Sequence, residues 1–379
     1  MDDIYKQSLR LHKEHRGKIE VISKVPLTNR AELSLAYTPG VAEVSREIGR
    51  DVELAYEYTI KGNTIAIVSD GSAILGLGNL GAHAAIPVME GKAAIFKEFA
   101  GIDAFPICVN TQDVEEIIAL VKNIAPVFGG INLEDISAPR CFEIEERLRA
   151  ELPIPVMHDD QHGTATVVLA GLINSLKLRG IKKEDAMVVM SGAGAAGTAI
   201  TKILLAYGFK HFIVCDTQGA IYDGREGLNE EKQALARVTN RDKKTGTLAE
   251  VLHGADIFIG VSKPGLLTAE MVRTMAEKPI IFALANPTPE IMPDVAKEAG
   301  AFVVATGRSD FPNQINNSLA FPGIFRGALD NRIKQFNEEM FIRAAEALSG
   351  YVVDPKPDQV LPAQFDKSLI DVIKSVIHD

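Results

Sequence analysis

The chain has 379 residues, 46% hydrophobic and 24% charged, with a formal net charge of −10. That length accommodates two domains with full cores. The acidic balance argues against a nucleic-acid binder, which needs clustered Lys and Arg against phosphates; the one basic run, Arg241-Asp242-Lys243-Lys244, is short, interrupted by an acid, and reads as a solvated loop.

Residues 1–60 read as mainly helical, with a loop around Lys24-Val25-Pro26-Leu27-Thr28. From Asn63 to Val156 apolar strands alternate with amphipathic helices: strands at Thr64–Val68, Phe105–Val109 and Gly130–Leu133, and a helix over Glu115–Ile124. A long helix is expected from about Gly163 to Leu178, with Lys177 and Arg179 near its end and Gly180 after it. A second series follows, with strands at Ala186–Met190, Phe212–Cys215, Ile257–Gly260, Ile280–Leu284 and Phe302–Ala305; from about Asn317 the pattern is helical with Pro-rich breaks. Strand–helix alternation implies parallel pairing through helical crossovers. The expected class is α/β with two domains, 1–160 and 161–379, the second of Rossmann type and doubly wound with C-terminal helices. No low-complexity linker separates them, so the boundary near 160 reads as a hinge inside packed structure.

Cys108, Cys141 and Cys215 are scattered, odd in number and lack a C-x-x-C pair, which fits a reducing compartment. The opening Met-Asp-Asp-Ile-Tyr-Lys has no apolar signal core, and no apolar run reaches the roughly 18 residues of a membrane span. A cytoplasmic protein is expected.

Two G-x-G-x-x-G matches occur, Gly76–Gly81 and Gly192-Ala193-Gly194-Ala195-Ala196-Gly197. Only the second follows a strand, opens an apolar helix (Thr198–Tyr207) and has an acid, Asp216, ending the next strand. That context marks a dinucleotide site, with the pyrophosphate at the helix N-terminus and the acid at the ribose. The first match reads as a glycine-rich turn. A carboxylate at Asp216 favours NAD over NADP by repelling a 2′-phosphate, although Lys232 or Arg225 could reach one.

Glu134-Asp135 follow a strand, and Asp159-Asp160 sit in His158-Asp159-Asp160-Gln161-His162-Gly163-Thr164. Paired acids at strand ends suit a hard cation such as Mg²⁺ or Mn²⁺. The same acids also suit helix N-termini for dipole reasons. A zinc site on His158 and His162 is spaced for it, but lacks an H-E-x-x-H pattern or a Cys ligand; both histidines are held as wall or packing residues.

With these stand Ala36-Tyr37-Thr38-Pro39-Gly40-Val41-Ala42, Ile74–Gly81, Glu90-Gly91-Lys92, Ala285-Asn286-Pro287-Thr288 and Asn313-Gln314-Ile315-Asn316-Asn317. Together the motifs resemble the malic enzyme family in its short bacterial form, over nearly the whole chain and most strongly over about 20–330. The resemblance implies a catalytic substrate domain before residue 160 and an NAD-binding domain after it. It implies Lys92 as general base, Tyr37 as general acid and Asp159 beside the lysine. Glu134, Asp135 and Asp160 would be ligands for Mg²⁺ or Mn²⁺, with Asn286 and Asn317 near nicotinamide and substrate. One departure is Ala73, where longer members carry an arginine for a substrate carboxylate; Lys92, Asn286, Asn317 or another subunit would then hold it.

The implied reaction takes malate to pyruvate and carbon dioxide with reduction of NAD, or of NADP. Neutral Lys92 would take the hydroxyl proton, a neighbouring cation disfavouring its charge, and Tyr37 would protonate the enolate at C3. Metal acids drawn from both sides of the boundary would be assembled by closure. A homodimer is expected, with malate as partner and neither nucleic acid nor membrane. Oxaloacetate decarboxylase or malolactic chemistry on the same scaffold, another two-domain dehydrogenase such as one for amino acids, and a non-catalytic dinucleotide sensor stay open.

Overall fold

The computed structural model describes residues 3–379; Met1 and Asp2, which open the acidic N-terminus, lie outside the described residues. Two sheets organise the chain. The first has the order β2-β1-β3-β4, all parallel, from β1 (Thr64–Ser69), β2 (Asp103–Cys108), β3 (Gly130–Leu133) and β4 (Val156–His158). The second has the order β10-β9-β8-β5-β6-β7, from β5 (Met187–Ser191), β6 (His211–Asp216), β7 (Gly219–Ala220), β8 (Ile257–Gly260), β9 (Ile280–Ala283) and β10 (Val303–Thr306). Only the short β7 runs antiparallel, against β6. Strands β1, β3, β4, β8, β9 and β10 are buried at every residue, which is why they read as unbroken apolar runs rather than alternating ones. The expected α/β class with a Rossmann-like second sheet and C-terminal helices is what the chain adopts.

The long helix runs over Asp159–Arg179, starting directly after β4 and four residues before the expected Gly163. Asp159 and Asp160 occupy its first turn, where the partial positive charge of the helix end favours acids. Gly180 closes it in the left-handed region at φ 75°. This helix lies in a core shared by the first sheet (Ile65, Ile67), the second (Val188, Met190) and the C-terminal helix Phe321–Asp330 (Phe321, Phe325). The passage from one sheet to the other is therefore packed structure.

The N-terminal helices Ile4–His15, Arg30–Ala36 and Val41–Arg50 bury no residue fully. They and their loops instead expose Leu9, Val21, Ile22, Leu35 and Tyr37, each more than 60% accessible. Among the described residues no helix is long and apolar enough to cross a membrane.

Candidate active site

Register builds the site. Val68 pairs with Leu133 and Leu133 with His158, so the next residues along the chain, Glu134 and Asp159, emerge side by side at the carboxyl edge of the first sheet. This is the edge at which open parallel sheets place their sites. Lys92 reaches the same point from the buried face of the helix Ala82–Ala100. Its Nζ donates to Asp159 Oδ2 and lies in ion-pair contact with Glu134 Oε1. The ammonium also sits 4.5 Å from the centre of the Phe321 ring. Glu134 Oε2 accepts from Asn132 Nδ2 at 3.0 Å, and Asp160 Oδ2 accepts the Asp135 backbone N–H at 2.9 Å.

Glu134, Asp135 and Asp160 bring carboxylate oxygens within 4.8 Å of one another. Burial pushes Asp135 up to about 8, helped by repulsion from Asp160 and Glu134. Glu134 and Asp160 are also raised, mainly by burial, with Lys92 opposing. Asp159 rises to about 6, again from burial against the pull of Lys92. Buried Asp135 Oδ2, Asp159 Oδ1 and Asn132 Oδ1 have no hydrogen-bond partner. Three mutually repelling carboxylates with an orphaned inner oxygen fit a small hard dication, which supplies the missing partner and removes the repulsion. Among the described residues this is the one group of three or more His, Cys, Asp or Glu set to share an ion.

Around Lys92, burial lowers the proton affinity, but Asp159, Glu134 and Asp160 outweigh that and raise it. The expected neutral lysine is tied to a neighbouring cation, which these side chains alone do not supply. One expectation changes here, that the acids meet only on closure. They are already together, because Asp160 belongs to the first turn of a helix whose start is fixed by β4 rather than to a separately moving half.

A buried acid that the motifs do not single out organises this helix start. Glu145, on the helix Arg140–Glu151, accepts from the His158 backbone N–H at 3.1 Å and from Gln161 Nε2 at 2.9 Å, and meets His162 Nε2 at 2.9 Å. Burial raises its proton affinity, but His162 and its other partners win and hold it below the usual carboxylate range. The available signal is an acid inside the buried stripe Cys141, Ile144, Glu145, Leu148. His162 also stacks on Phe341 at 4.7 Å, and His158 is wholly buried. Both histidines thus pack the site wall, and the zinc alternative gains no support.

The remaining residues divide. Asn317 packs at Gly163, where an added methyl would lie 3.2 Å from its Cβ, and so stands beside Asp159. Asn286 lies against the first glycine motif: the backbone of Gly76, at φ 72°, approaches the Asn286 carbonyl so closely that a Cβ would come within 2.3 Å of it. The first glycine motif is therefore a turn seated against the Asn286 segment. Ala73 donates its N–H to the Asp135 carbonyl at 3.0 Å, so the place of the absent arginine adjoins the carboxylates. Tyr37 is not gathered in. It ends the helix Arg30–Ala36, 66% exposed, whereas Lys92 is 6% exposed.

In the second sheet the Gly192–Gly197 turn leads from β5 into the helix Ala195–Tyr207. Gly192 takes φ 115°, and a Cβ on Gly197 would lie 2.0 Å from the Gly192 carbonyl, so helix and turn close only with glycine there. Gly192, Ala193 and Gly194 line a cavity of about 750 Å³ that also reaches Asp216, Gln218, Asn229 and Lys232. Asp216 is not the bare carboxylate on which an NAD preference rests. Its Oδ2 accepts from Arg225 Nη2 at 2.5 Å and Lys232 Nζ at 2.7 Å. Burial raises its proton affinity, but these two cations hold it down at about 2. A carboxylate matched by two cations repels a phosphate far less than an isolated one.

The description "Malic enzyme, N-terminal domain" matches residues 16–149, and "Malic enzyme, NAD binding domain" matches residues 161–368. The chain is 57% identical over 374 residues to the bifunctional malic/malolactic enzyme of Bacillus subtilis (strain 168), covering 98% of this chain and 91% of that protein. It is 56% identical over 363 residues to the NAD-dependent malic enzyme of Geobacillus stearothermophilus, covering 95% and 76%. The crystal structure of an NAD-dependent malic enzyme from Thermotoga maritima matches with a TM-score of 0.95 at 49% identity, over 98% of each chain. Matched in order along both sheets and by relatives of more than half identity, the chain belongs to the malic enzyme family.

Proposed function

We propose that this protein oxidises malate with a nicotinamide dinucleotide and releases pyruvate and carbon dioxide, and that Mg²⁺ or Mn²⁺ is required. The observation that carries the reading is the meeting of Lys92 with Asp159 and with Glu134 of the carboxylate trio, at the carboxyl edge of the first sheet. On this reading residues 1–160 form the substrate domain and 161–379 bind the dinucleotide, NAD or NADP, along Gly192–Gly197, Asp216 and Asn286.

Glu134, Asp135 and Asp160 are the residues that would hold the cation, whose chemistry is Lewis-acid polarisation of the C2 oxygen. Lys92 takes the C2 hydroxyl proton as C2 gives up hydride. Asp159, Glu134 and Asp160 keep the lysine protonated, and a cation held by Glu134 and Asp160 would offset two of these three counter-charges and favour the neutral amine. Asp159 orients the lysine, and Asn317 and Asn286 flank the substrate. Loss of the C4 carboxylate leaves an enolate, which Tyr37 protonates at C3.

That last role needs Tyr37 brought to a site, and the exposed apolar N-terminal face needs a cover. A second copy of the chain meets both needs, so the working form is a homodimer. A cytoplasmic location agrees with three free cysteines.

The test is nicotinamide absorbance on mixing the enzyme with malate and NAD or NADP, with and without Mn²⁺, with pyruvate assayed in parallel. Metal-dependent reduction with pyruvate in equal amount is expected. No reduction with either dinucleotide would overturn the reading, and reduction yielding oxaloacetate would leave a simple malate dehydrogenase. A malolactic side activity has one specific support, the bifunctional name of the Bacillus subtilis relative, and would appear as lactate without net reduction. A dinucleotide sensor has no use for the Lys92–Asp159 pair or the carboxylate trio.

A further inference from the structure

The basic run Arg241-Asp242-Lys243-Lys244 has no part in the reaction, and in the fold its cations separate. Lys243 pairs with Asp223 at 2.9 Å, whereas Arg241 lines a groove of about 610 Å³ together with Lys202, Lys210 and Arg237. These four come from separate places: Lys202 from the helix Ala195–Tyr207, Lys210 from the segment after it, Arg237 from the last turn of the helix Glu230–Val238 and Arg241 from the loop beyond. All four are exposed, and a single acid, Glu338, lines the groove with them. Among the described residues none of the four makes a hydrogen bond or an ion pair. Arg237 acts on Asp223 only from a distance, and Lys243 already holds that carboxylate. Elsewhere in the same domain Arg179, Arg225 and Lys232 are each paired, with Asp256 or Asp216.

Helix C-termini attract cations, and the helices Ala195–Tyr207 and Glu230–Val238 both end here. That accounts for Arg237, which lies in a last turn. It does not account for Lys202, which starts more than a turn before its helix ends, and none of the four donates to a terminal carbonyl. Nor is this a plain solvated face, because it is concave and Leu205, Ala206 and Val238 lie among the cations. Four unpaired like charges in one concavity repel one another, and a bound anion removes that repulsion. We propose that the groove is a second anion site, taking a small molecule that carries two or more linked phosphate groups. Four cations from separate segments exceed what one phosphate contacts well, whereas linked phosphates spread their charge along a chain. The groove shares no lining residue with the Gly192–Gly197 cavity, which lies at the opposite end of the helix Ala195–Tyr207, roughly 18 Å away. The two sites are therefore distinct, and this one does not depend on the assignment of the dinucleotide.

The experiment is calorimetric titration of the chelator-treated protein with inorganic triphosphate, with and without saturating NADH. It compares the wild type with Lys202→Gln, Arg241→Gln and Lys374→Gln. Lys202 and Arg241 are exposed and bond to nothing, so both variants should fold. Lys374, paired with Asp371 on the helix Ser368–Lys374, controls for net charge. The wild type should bind triphosphate whether or not NADH is present. Lys202→Gln and Arg241→Gln should each bind it about tenfold more weakly, since a hydrogen bond between charged groups is lost. Lys374→Gln should match the wild type. Citrate, an anion without phosphate, should bind more weakly than triphosphate. No binding to the wild type, or equal affinity in all three variants, would overturn the proposal. Displacement of triphosphate by NADH would place the anion in the dinucleotide cavity and overturn it too, and tighter binding of citrate would overturn the phosphate assignment.

Discussion

Lys92 and Asp159 stand 67 residues apart and meet in a buried ion pair that ties the helix Ala82–Ala100 to the start of the helix Asp159–Arg179. Glu134 touches the same ammonium, so the three charges are not interchangeable. Lys92→Met strands two buried carboxylates; Asp159→Asn leaves Lys92 paired with Glu134. Removing one partner of a buried pair costs about 3–5 kcal/mol. Lys92→Met should reach that range in chelator-treated protein, and Asp159→Asn should cost clearly less. Mn²⁺ should narrow the difference by neutralising Glu134. Both variants should lose turnover, Lys92→Met by at least about 10²-fold. Equal thermal destabilisation of the two, with and without Mn²⁺, would show that Glu134 does not share the lysine.

The exposed Tyr37 gives a prediction about assembly. If two copies complete each other's sites, Lys92→Ala and Tyr37→Phe chains, each inactive alone, should regain activity when mixed and allowed to exchange subunits. One of the two sites in a mixed dimer then has both groups intact. Up to about half the wild-type rate per mixed dimer is expected from one working site of two, provided the sites act independently. If Tyr37 served the Lys92 of its own chain, every site would lack one group and mixing would restore nothing.

Much of the fold and the carboxylate site is legible in the sequence. The strands at Gly130–Leu133 and Ile257–Gly260 have the expected limits, because a fully buried parallel strand is a bounded apolar run. The two acid pairs are placed where such strands end, and the resemblance to the malic enzyme family picks Glu134, Asp135 and Asp160 from them, the three that cluster. What escapes depends on contacts between distant segments. The contact of Lys92 with Glu134 is set by strand register rather than by sequence spacing. The pairing of Asp216 with Arg225 and Lys232 depends on a hairpin and a helix folding back over the strand end. Tyr37 ends the helix Arg30–Ala36 on an exposed face, and no strand register ties that helix to Lys92.

Metal affinity depends on the trio. Asp160→Asn keeps the acceptor for the Asp135 N–H, and Glu134→Gln keeps the acceptor for Asn132 Nδ2, so both should fold. Each removes one anionic oxygen from the site. Outer-shell partners of metal sites typically account for about 10–100-fold in affinity, and a direct ligand should exceed the lower figure. Calorimetric titration with Mn²⁺ should therefore show more than tenfold weaker binding in each variant. Wild-type affinity in both would remove Glu134 and Asp160 from the ligand set.

Gly163 supplies the last prediction, because two effects there act in opposite directions. It lies in the second turn of the helix Asp159–Arg179, where alanine would improve helix propensity by up to about 1 kcal/mol. A Cβ at this position, however, would fall 1.7 Å from Asp159 Oδ1 and 2.8 Å from its Cγ. No pair of atoms tolerates that approach, so the Asp159 carboxyl must rotate away or the helix start must move. Overpacking of this kind typically costs about 1–3 kcal/mol, more than the propensity returns. The displaced group is also the one that holds Lys92, so turnover should fall with stability. Gly350 is the control: it ends the helix Glu338–Gly350, and an added methyl would meet nothing within 4 Å. Gly350→Ala should leave stability unchanged or raise it by up to about 1 kcal/mol, with normal turnover. Gly163→Ala should lower the unfolding temperature and reduce kcat together, with Mn²⁺ affinity less affected because Asp159 lies outside the Glu134, Asp135 and Asp160 cluster. If Gly163→Ala instead behaves like Gly350→Ala in both measurements, the close approach of Asp159 to its own helix, and with it the orienting of Lys92 by Asp159, is wrong.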